Sequence, residues 1–340
     1  MPSRNPAGSI TRVRGIEVGH YTDTRRPTGC TAVLARGGAV AGVDVRGAAP
    51  GTRETDLLHP SNFVQQVHAI MLAGGSAWGL DAASGAMRWL EEQGVGLDVG
   101  VGCIPLVPAA VLFDLAVGDM RIRPDAAAGY AACQAAGSAD PAQGNVGAGA
   151  GAVVGKLFGM GRAMKGGLGT ASCTVGGVTV GALIACNAVG DVVDPATGRP
   201  VAGARTADGL ALLDARRALL AGEAATSIIQ GTNTTIGVIA TDAAITKAQA
   251  HRLATVGHDG LARAINPVHT LSDGDTLFCL GTGLADPGHM SARPGMAVLA
   301  TMAAEAVAQA TLQAVWAAQA IALAAPHALA LPCASDFLPR

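Results

Sequence analysis

An α+β sandwich, with sheets stacked between layers of helix, is the fold class this sequence predicts, and three observations predict it. Glycine supplies 47 of the 340 residues and aromatics only 3%, a composition suited to closely apposed backbones and thin layers. β-rich runs and helical patterns are interspersed without the regular strand–helix alternation of a doubly wound parallel sheet. No fixed-period repeat and no charged or Pro/Ser-rich linker divides the chain, so 1–340 is expected to form a single domain. Half the residues are apolar, enough to bury a sizeable core.

The elements follow from local patterning. "TGCTAVLARGGAVAGVDVRG" holds two β-rich runs around Gly37-Gly38 and predicts a hairpin turning there. "HAIMLAGGSAWGLDAASGAMRWLEEQG" reads as strand, glycine turn and amphipathic helix, and "DAAAGYAACQAA" as a further helix. After a glycine-rich passage come a strand at "VTVGALIAC" and a short helical segment near "ADGLALLDARRALL". The polar approach "LAGEAATSIIQ" then leads into an apolar strand, "NTTIGVIATD". A helix over about 246–265, a strand at "TLFCL" and a long terminal helix complete the chain. That last helix is apolar enough to suggest a membrane span, but Glu305, Gln309, Gln313 and Gln319 interrupt it, which favours burial between protein layers.

Composition and motifs exclude several function classes. Only 14% of residues are charged and the net charge is −2, so neither a nucleic acid nor a membrane surface is expected as a partner. "MPSRNPAGSITRVRG" lacks the apolar core and cleavage site of a secretory signal, which predicts a cytoplasmic protein. Seven cysteines without a CxxC pair agree, and Cys103, Cys173, Cys186 and Cys279 sit among small or apolar neighbours as reduced structural thiols. The glycine-rich passage fails as a phosphate loop, since Ala150 stands where the first glycine is required and Leu157 where Ser or Thr should be. Gly147-x-Gly149-x-x-Ala152 fits a relaxed dinucleotide pattern but follows no strand. "AGGSAWG" is no nucleophile elbow, because Trp78 replaces the glycine needed two residues after Ser76. The histidines, including His251 and His258 seven apart, make no metal motif. No cofactor and no metal are expected.

Four further features carry chemistry. Asn233-Thr234-Thr235 opens an apolar strand, either as ordinary loop punctuation or as a place where the chain is cut to expose Thr234 as a nucleophile. The same triplet matches a glycosylation sequon, accidental without a secretory signal. Asp273 and Asp275 flank Gly274; Asp-Gly favours a tight hairpin turn, whereas in extended chain the two carboxylates share a face and could both point at one ammonium. Lys156 and Lys165 are surface charges or site residues. Asn187 either stops a strand or aims its amide at a developing oxyanion.

Together these segments resemble the DmpA/nylon-oligomer hydrolase family of N-terminal-nucleophile hydrolases, which includes β-peptidyl aminopeptidases and 6-aminohexanoate-oligomer hydrolases. The likeness runs through "TGCTAVL", "GVDVRGAAPGTRETDLL", "GGSAWGLDAA", "GNVGAGAGAVVGK", "KGGLGTAS", "NTTIGVIATD" and "PVHTLSDGDTLF". It implies a four-layer αββα fold and an inactive precursor that cuts itself between Asn233 and Thr234, giving fragments 1–233 and 234–340. The Thr nucleophile with a D-G-D pair is similar to the nylon-oligomer hydrolases, which implies catalytic roles for Thr234, Asp273, Asp275, Lys156 and Asn187. Lys165, matching a lysine shared with the aminopeptidases, joins Gly75 and Ser76 as a candidate pocket residue. The N-terminal half looks closer to the aminopeptidase-like majority.

The resemblance further implies a homotetramer of processed protomers and a small amide or oligopeptide substrate. The chemistry it implies rests on a free N-terminal threonine, whose α-amine, with a pKa of about 8, removes the proton of its own hydroxyl. The alternatives are an aminopeptidase that requires a free substrate amine and, from another class, an unprocessed inert binding protein.

Overall fold

A nine-stranded mixed sheet, bent back on itself, organises the chain. The computed structural model describes residues 8–225, 233–285 and 295–337. The strands of this sheet are β1 (Glu17–Thr22), β2 (Gly29–Val45), β3 (Thr52–Arg53), β4 (Gln66–Ala73), β5 (Ala109–Val111), β6 (Gly167–Val175), β7 (Val178–Asn187), β8 (Thr234–Thr241) and β9 (Thr276–Gly281). They run in the order β6-β7-β8-β9-β2-β4-β5-β3, with β1 also paired to β2. The principal helices are α1 (Ala82–Glu92), α2 (Ala126–Gln134), α3 (Ala215–Leu220), α4 (Lys247–Ala264) and α5 (Met296–Trp316).

Strand β2 corrects the hairpin expected at Gly37-Gly38. The chain does not reverse there; β2 is one strand of 17 residues. Gly38 takes φ +80°, open to glycine at little cost, and the register against β4 jumps between Leu34 and Ala39. The irregularity bends the strand. Its first part pairs with β1 and β4, contact with β4 continues to Val40, and Val40–Val45 pair with β9, so one strand serves both leaves of the sandwich.

Alternation along the strands then builds three cores. Val33, Ile70 and Leu72 from one leaf meet Leu183, Ile236, Val238 and Phe278 from the other. The opposite faces of β7 to β9, with Ile184, Ile239, Leu277 and Cys279, pack on Leu253 and Leu261 of α4 and Val307 and Leu312 of α5. Ala32, Leu34 and Met71 pack on Ala82, Ala86 and Leu90 of α1 and Ala128 and Ala132 of α2. The period-two switch between Val238 and Ile239 is therefore a switch between layers. Helix, sheet, sheet, helix is the αββα order expected.

The long helix α5 is apolar enough by length and composition to cross a bilayer, but 72% of its most apolar window is buried within this fold. Helix α4 starts on a capping box in which Thr246 and Gln249 satisfy each other's backbone N–H groups. Most of the approach to Asn233, at 226–232, lies outside the described residues.

Candidate active site

Three strand ends meet at one point. Strands β7 and β8 are antiparallel with Asn187 opposite Thr234, so the last residue of one faces the first of the other. Strands β8 and β9 are parallel, and a bridge joins Asn233 to Asp273 just ahead of them. Thr234, Asn187 and the Asp273–Asp275 segment are thereby brought together, although they are far apart in sequence. All are buried: Thr234 is 3% exposed, and Asn187, Asp273 and Asp275 1% each.

The Asp-Gly pair is not the hairpin turn its composition favours. Gly274 lies in chain running into β9, and its N–H donates to the Asn233 carbonyl at 2.9 Å. The Thr234 hydroxyl donates to that same carbonyl at 2.5 Å. A Cβ on Gly274 would lie 2.9 Å from Thr234 Oγ1 and 2.5 Å from the Ala49 carbonyl, so only glycine admits this approach. The segment after β2 closes the other side. Arg46 and Ala49 N–H groups donate to the carbonyls of Asp275 and Asp273, at 2.9 and 2.8 Å.

Asn187 and Lys156 form one unit. Lys156 Nζ donates to the main-chain and side-chain oxygens of Asn187, at 2.9 and 3.0 Å. Asn187 Oδ1 also accepts from Val153 N–H, and its Nδ2 donates to the Phe113 carbonyl. This fixes which end of the amide is oxygen. Burial pulls the Lys156 pKa from 10.5 down to about 7, against the raising influence of Asp273 above all. The lysine is thus poised to titrate near neutrality.

The two carboxylates are held by consecutive residues. Asp275 Oδ1 accepts from Thr235 N–H at 2.7 Å, and its Oδ2 accepts from His269 Nδ1 at 2.8 Å and His269 N–H at 3.2 Å. Asp273 Oδ2 accepts from Thr270 N–H and Oγ1–H, at 2.8 and 2.7 Å. Burial first, and then the charge of Asp275, raise the Asp273 pKa. The pair is therefore unequal: both Asp275 oxygens bind protein donors, while Thr270 engages only one oxygen of Asp273. Sequence reasoning singled out neither His269 nor Thr270 for this role. Their placement just ahead of the pair in "HTLSDGD" is the signal that could have found them.

Lys165 lies apart from the cluster. It is fully buried and donates to the Gly149, Ala152 and Gly166 carbonyls, each at 3.0 Å, so it braces backbone and lines no opening. Burial draws its pKa to about 7, against the raising influence of Asp114 above all. Gly75 takes φ +83° and donates its N–H to Asp114, whose neighbour Phe113 receives Asn187. Its link to the site is indirect. Ser76, at φ +55°, donates its N–H to the Leu112 carbonyl. His251 and His258 share one face of α4 and contact the carbonyls of Val43 and Asp44, at 2.7 and 3.0 Å. Among the described residues no group of His, Cys, Asp or Glu is arranged to hold a metal ion.

Comparison with known proteins agrees with this architecture. The model of Peptidase family S58 matches residues 8–328. An uncharacterized aminopeptidase of Mycobacterium leprae is 47% identical, over 93% of this chain and 92% of its own length. The 6-aminohexanoate-oligomer endohydrolase of Paenarthrobacter ureafaciens is 34% identical, over 84% of this chain and 79% of its own. Among solved structures, the L-aminopeptidase D-Ala-esterase/amidase of Ochrobactrum anthropi, described as a variant of the Ntn hydrolase fold, superposes with a TM-score of 0.71 at 21% identity, covering 98% of this chain and 92% of that one. A Burkholderia sp. beta-aminopeptidase gives a TM-score of 0.66 at 22% identity, covering 97% and 92%. These two likenesses bear on the fold. With the family match spanning nearly the whole sequence, the chain belongs to peptidase family S58 and is an amide-bond hydrolase of the N-terminal-nucleophile fold.

Proposed function

We propose that this chain cuts itself between Asn233 and Thr234 and that Thr234 then acts as the nucleophile of an amide hydrolase for small peptides or ω-amino-acid oligomers of the 6-aminohexanoate kind. One observation carries the reading: the Thr234 hydroxyl lies 2.5 Å from the Asn233 carbonyl oxygen, which also accepts the Gly274 N–H at 2.9 Å. A hydroxyl adjoining a carbonyl that a second donor polarises supports an N-to-O acyl shift, in which Oγ turns from the carbonyl oxygen to the carbonyl carbon. Thr234 Oγ bonds to the Asn233 carbonyl carbon, the C–N bond breaks, and the nitrogen takes up a proton to become the amine. Water then hydrolyses the ester, leaving a carboxylate on Asn233 and free Thr234.

In the processed enzyme the Thr234 amine accepts the hydroxyl proton as Oγ attacks a substrate amide. Asp273, bridged through its backbone to Asn233, is assigned to the resulting ammonium, and Asp275, which accepts the Thr235 N–H, supports the adjoining backbone. Asn187 Nδ2 has a second proton to offer the tetrahedral oxyanion, and Lys156 sets the charge beside it. The proton passes to the leaving amine, and water releases the acyl group from Oγ. Substrate of the nylon type is supported by the D-G-D pair and by relatives named as 6-aminohexanoate-oligomer endohydrolases at 33–34% identity. A second reading, an aminopeptidase requiring a free substrate amine, is favoured by the 47% identity to a relative named as an aminopeptidase. Oligomers with blocked amino ends separate the two, since only an endo-acting enzyme cleaves them. Assembly as a homotetramer belongs to the same proposal and is checked by light scattering.

Intact mass spectrometry tests the nucleophile. Wild-type protein divides into 1–233 and 234–340, while Thr234→Ala stays whole and inactive. A wild-type chain that remains full length after long incubation, or a Thr234→Ala chain that divides, defeats the proposal.

A further inference from the structure

His269 occupies a position that its backbone does not favour. It sits at φ +55°, a left-handed conformation that is uncommon outside glycine and costs energy unless its surroundings enforce it. What surrounds it is the Asp275 carboxylate, taken from two directions: main-chain N–H at 3.2 Å and ring Nδ1 at 2.8 Å, both on Oδ2. The other oxygen of that carboxylate accepts the Thr235 N–H at 2.7 Å. The path from imidazole to nucleophile is therefore short: ring, carboxylate, Thr235 amide, and the peptide unit whose carbonyl belongs to Thr234.

The packing holds the ring in this orientation. His258 of α4 meets it edge to face, with centroids 4.8 Å apart, and His258 Nε2 lies 3.0 Å from the Asp44 carbonyl of β2. A carbonyl only accepts, so Nε2 carries the proton of His258; burial lowers the His258 pKa and favours that neutral ring. On Asp275 itself act the charges of Lys156 and Asp273, the second a like charge that repels it. A donor that cannot swing away opposes this.

We propose that His269 is a positioning residue for the nucleophile: bonded to Asp275 through both its main chain and its ring, it turns that carboxylate onto the Thr235 amide and so fixes the backbone that carries Thr234. The inference rests on the reading of Thr234 given above. It assigns His269 no contact with substrate and no proton transfer. Its function is geometric, and it acts through Asp275.

Two substitutions separate this role from general stability. His269→Gly removes the ring and is at ease at φ +55°, so it deletes the bond without adding strain. His269→Asn restores a side-chain N–H the same number of bonds from Cα and tolerates the left-handed region. The first readout is the Thr235 amide resonance and its hydrogen exchange, measured by NMR in the full-length Thr234→Ala chain, where no cleavage is needed. The Thr235 proton is expected to move upfield and exchange at least about tenfold faster with His269→Gly, and to return towards the parent with His269→Asn. The second is self-cleavage in the Thr234 chain, expected to slow about tenfold or more with His269→Gly and to recover with His269→Asn. An unchanged Thr235 amide in the glycine variant, or an asparagine variant no better than glycine, overturns the inference. Division of the Thr234→Ala chain would instead overturn the nucleophile assignment, so the two failures are distinguishable.

Discussion

Gly47 offers a direct test of how tightly the site is assembled. A Cβ placed on it would lie 2.2 Å from Asp275 N, 2.4 Å from the Asp273 carbonyl and 2.5 Å from Gly274 Cα, all backbone atoms with no rotamer to yield. To reach even the 3.4 Å of ordinary contact, the Asp273–Asp275 segment must retreat from the segment after β2 by roughly 1 Å. The same segment carries the Gly274 N–H on the Asn233 carbonyl from its opposite side, so the retreat drives it against Asn233 and Thr234 and distorts both that bond and the placement of the carboxylates. A misplacement of this size costs about a hundredfold in rate. Gly47→Ala is therefore expected to remain folded, because the hydrophobic cores lie elsewhere, but to self-cleave about a hundredfold more slowly and to hydrolyse oligomers correspondingly poorly. Self-cleavage is followed by intact mass against time after purification, with near-UV circular dichroism reporting the fold. Wild-type cleavage kinetics in a folded Gly47→Ala chain would refute the argument that close backbone approach sets the geometry of this site.

Other perturbations test the electrostatics and the frame. Lys156 has a folded pKa of about 7 against 10.5 for the free side chain, so between those values the unfolded chain binds the extra proton and stability rises with pH. That contribution is fully present above 10.5 and lost as pH falls through 7; Lys156→Met should remove up to about 1.4 kcal/mol per pH unit of slope, and identical denaturation slopes in the two proteins would contradict it. Lys165→Met leaves three buried carbonyls without their donor and should cost about 3–5 kcal/mol in urea unfolding, a loss under about 1 kcal/mol being incompatible with the clamp. Thr246→Ala breaks the capping box of α4 and should cost about 1 kcal/mol in the same assay while leaving self-cleavage unchanged.

Legibility in the sequence followed the range of the forces involved. Helices α2 and α4 and strands β7 and β9 lie where local periodicity puts them, because each shows a buried face or an apolar run of the right length. The Gly37-Gly38 hairpin did not form. Glycine permits reversal and bending alike, and the choice went to a bend once β2 could pair with β9 as well as with β4. The Asp-Gly turn failed for a similar reason: Gly274 is needed where the backbone runs past the Thr234 hydroxyl, a requirement that no window of neighbouring residues displays.

For the candidate site, the motifs "NTTIGVIATD" and "PVHTLSDGDTLF" offered Thr234, Asp273 and Asp275, and family likeness gave roles to Lys156 and Asn187, which the residues had already raised as candidates. Side-chain identity and spacing are properties of the chain, so these candidates needed no coordinates. Which of them bear on one another is a property of strand pairing. The antiparallel β7–β8 register sets Asn187 opposite Thr234, and the parallel β8–β9 register delivers the carboxylates to the same end of the sheet. Tertiary structure alone separated two lysines of similar burial, Lys156 on Asn187 and Lys165 on three carbonyls, and gave His269 its hold on Asp275. A sequence specifies what each residue can donate or accept; only the folded packing decides which partner lies within about 3 Å to receive it.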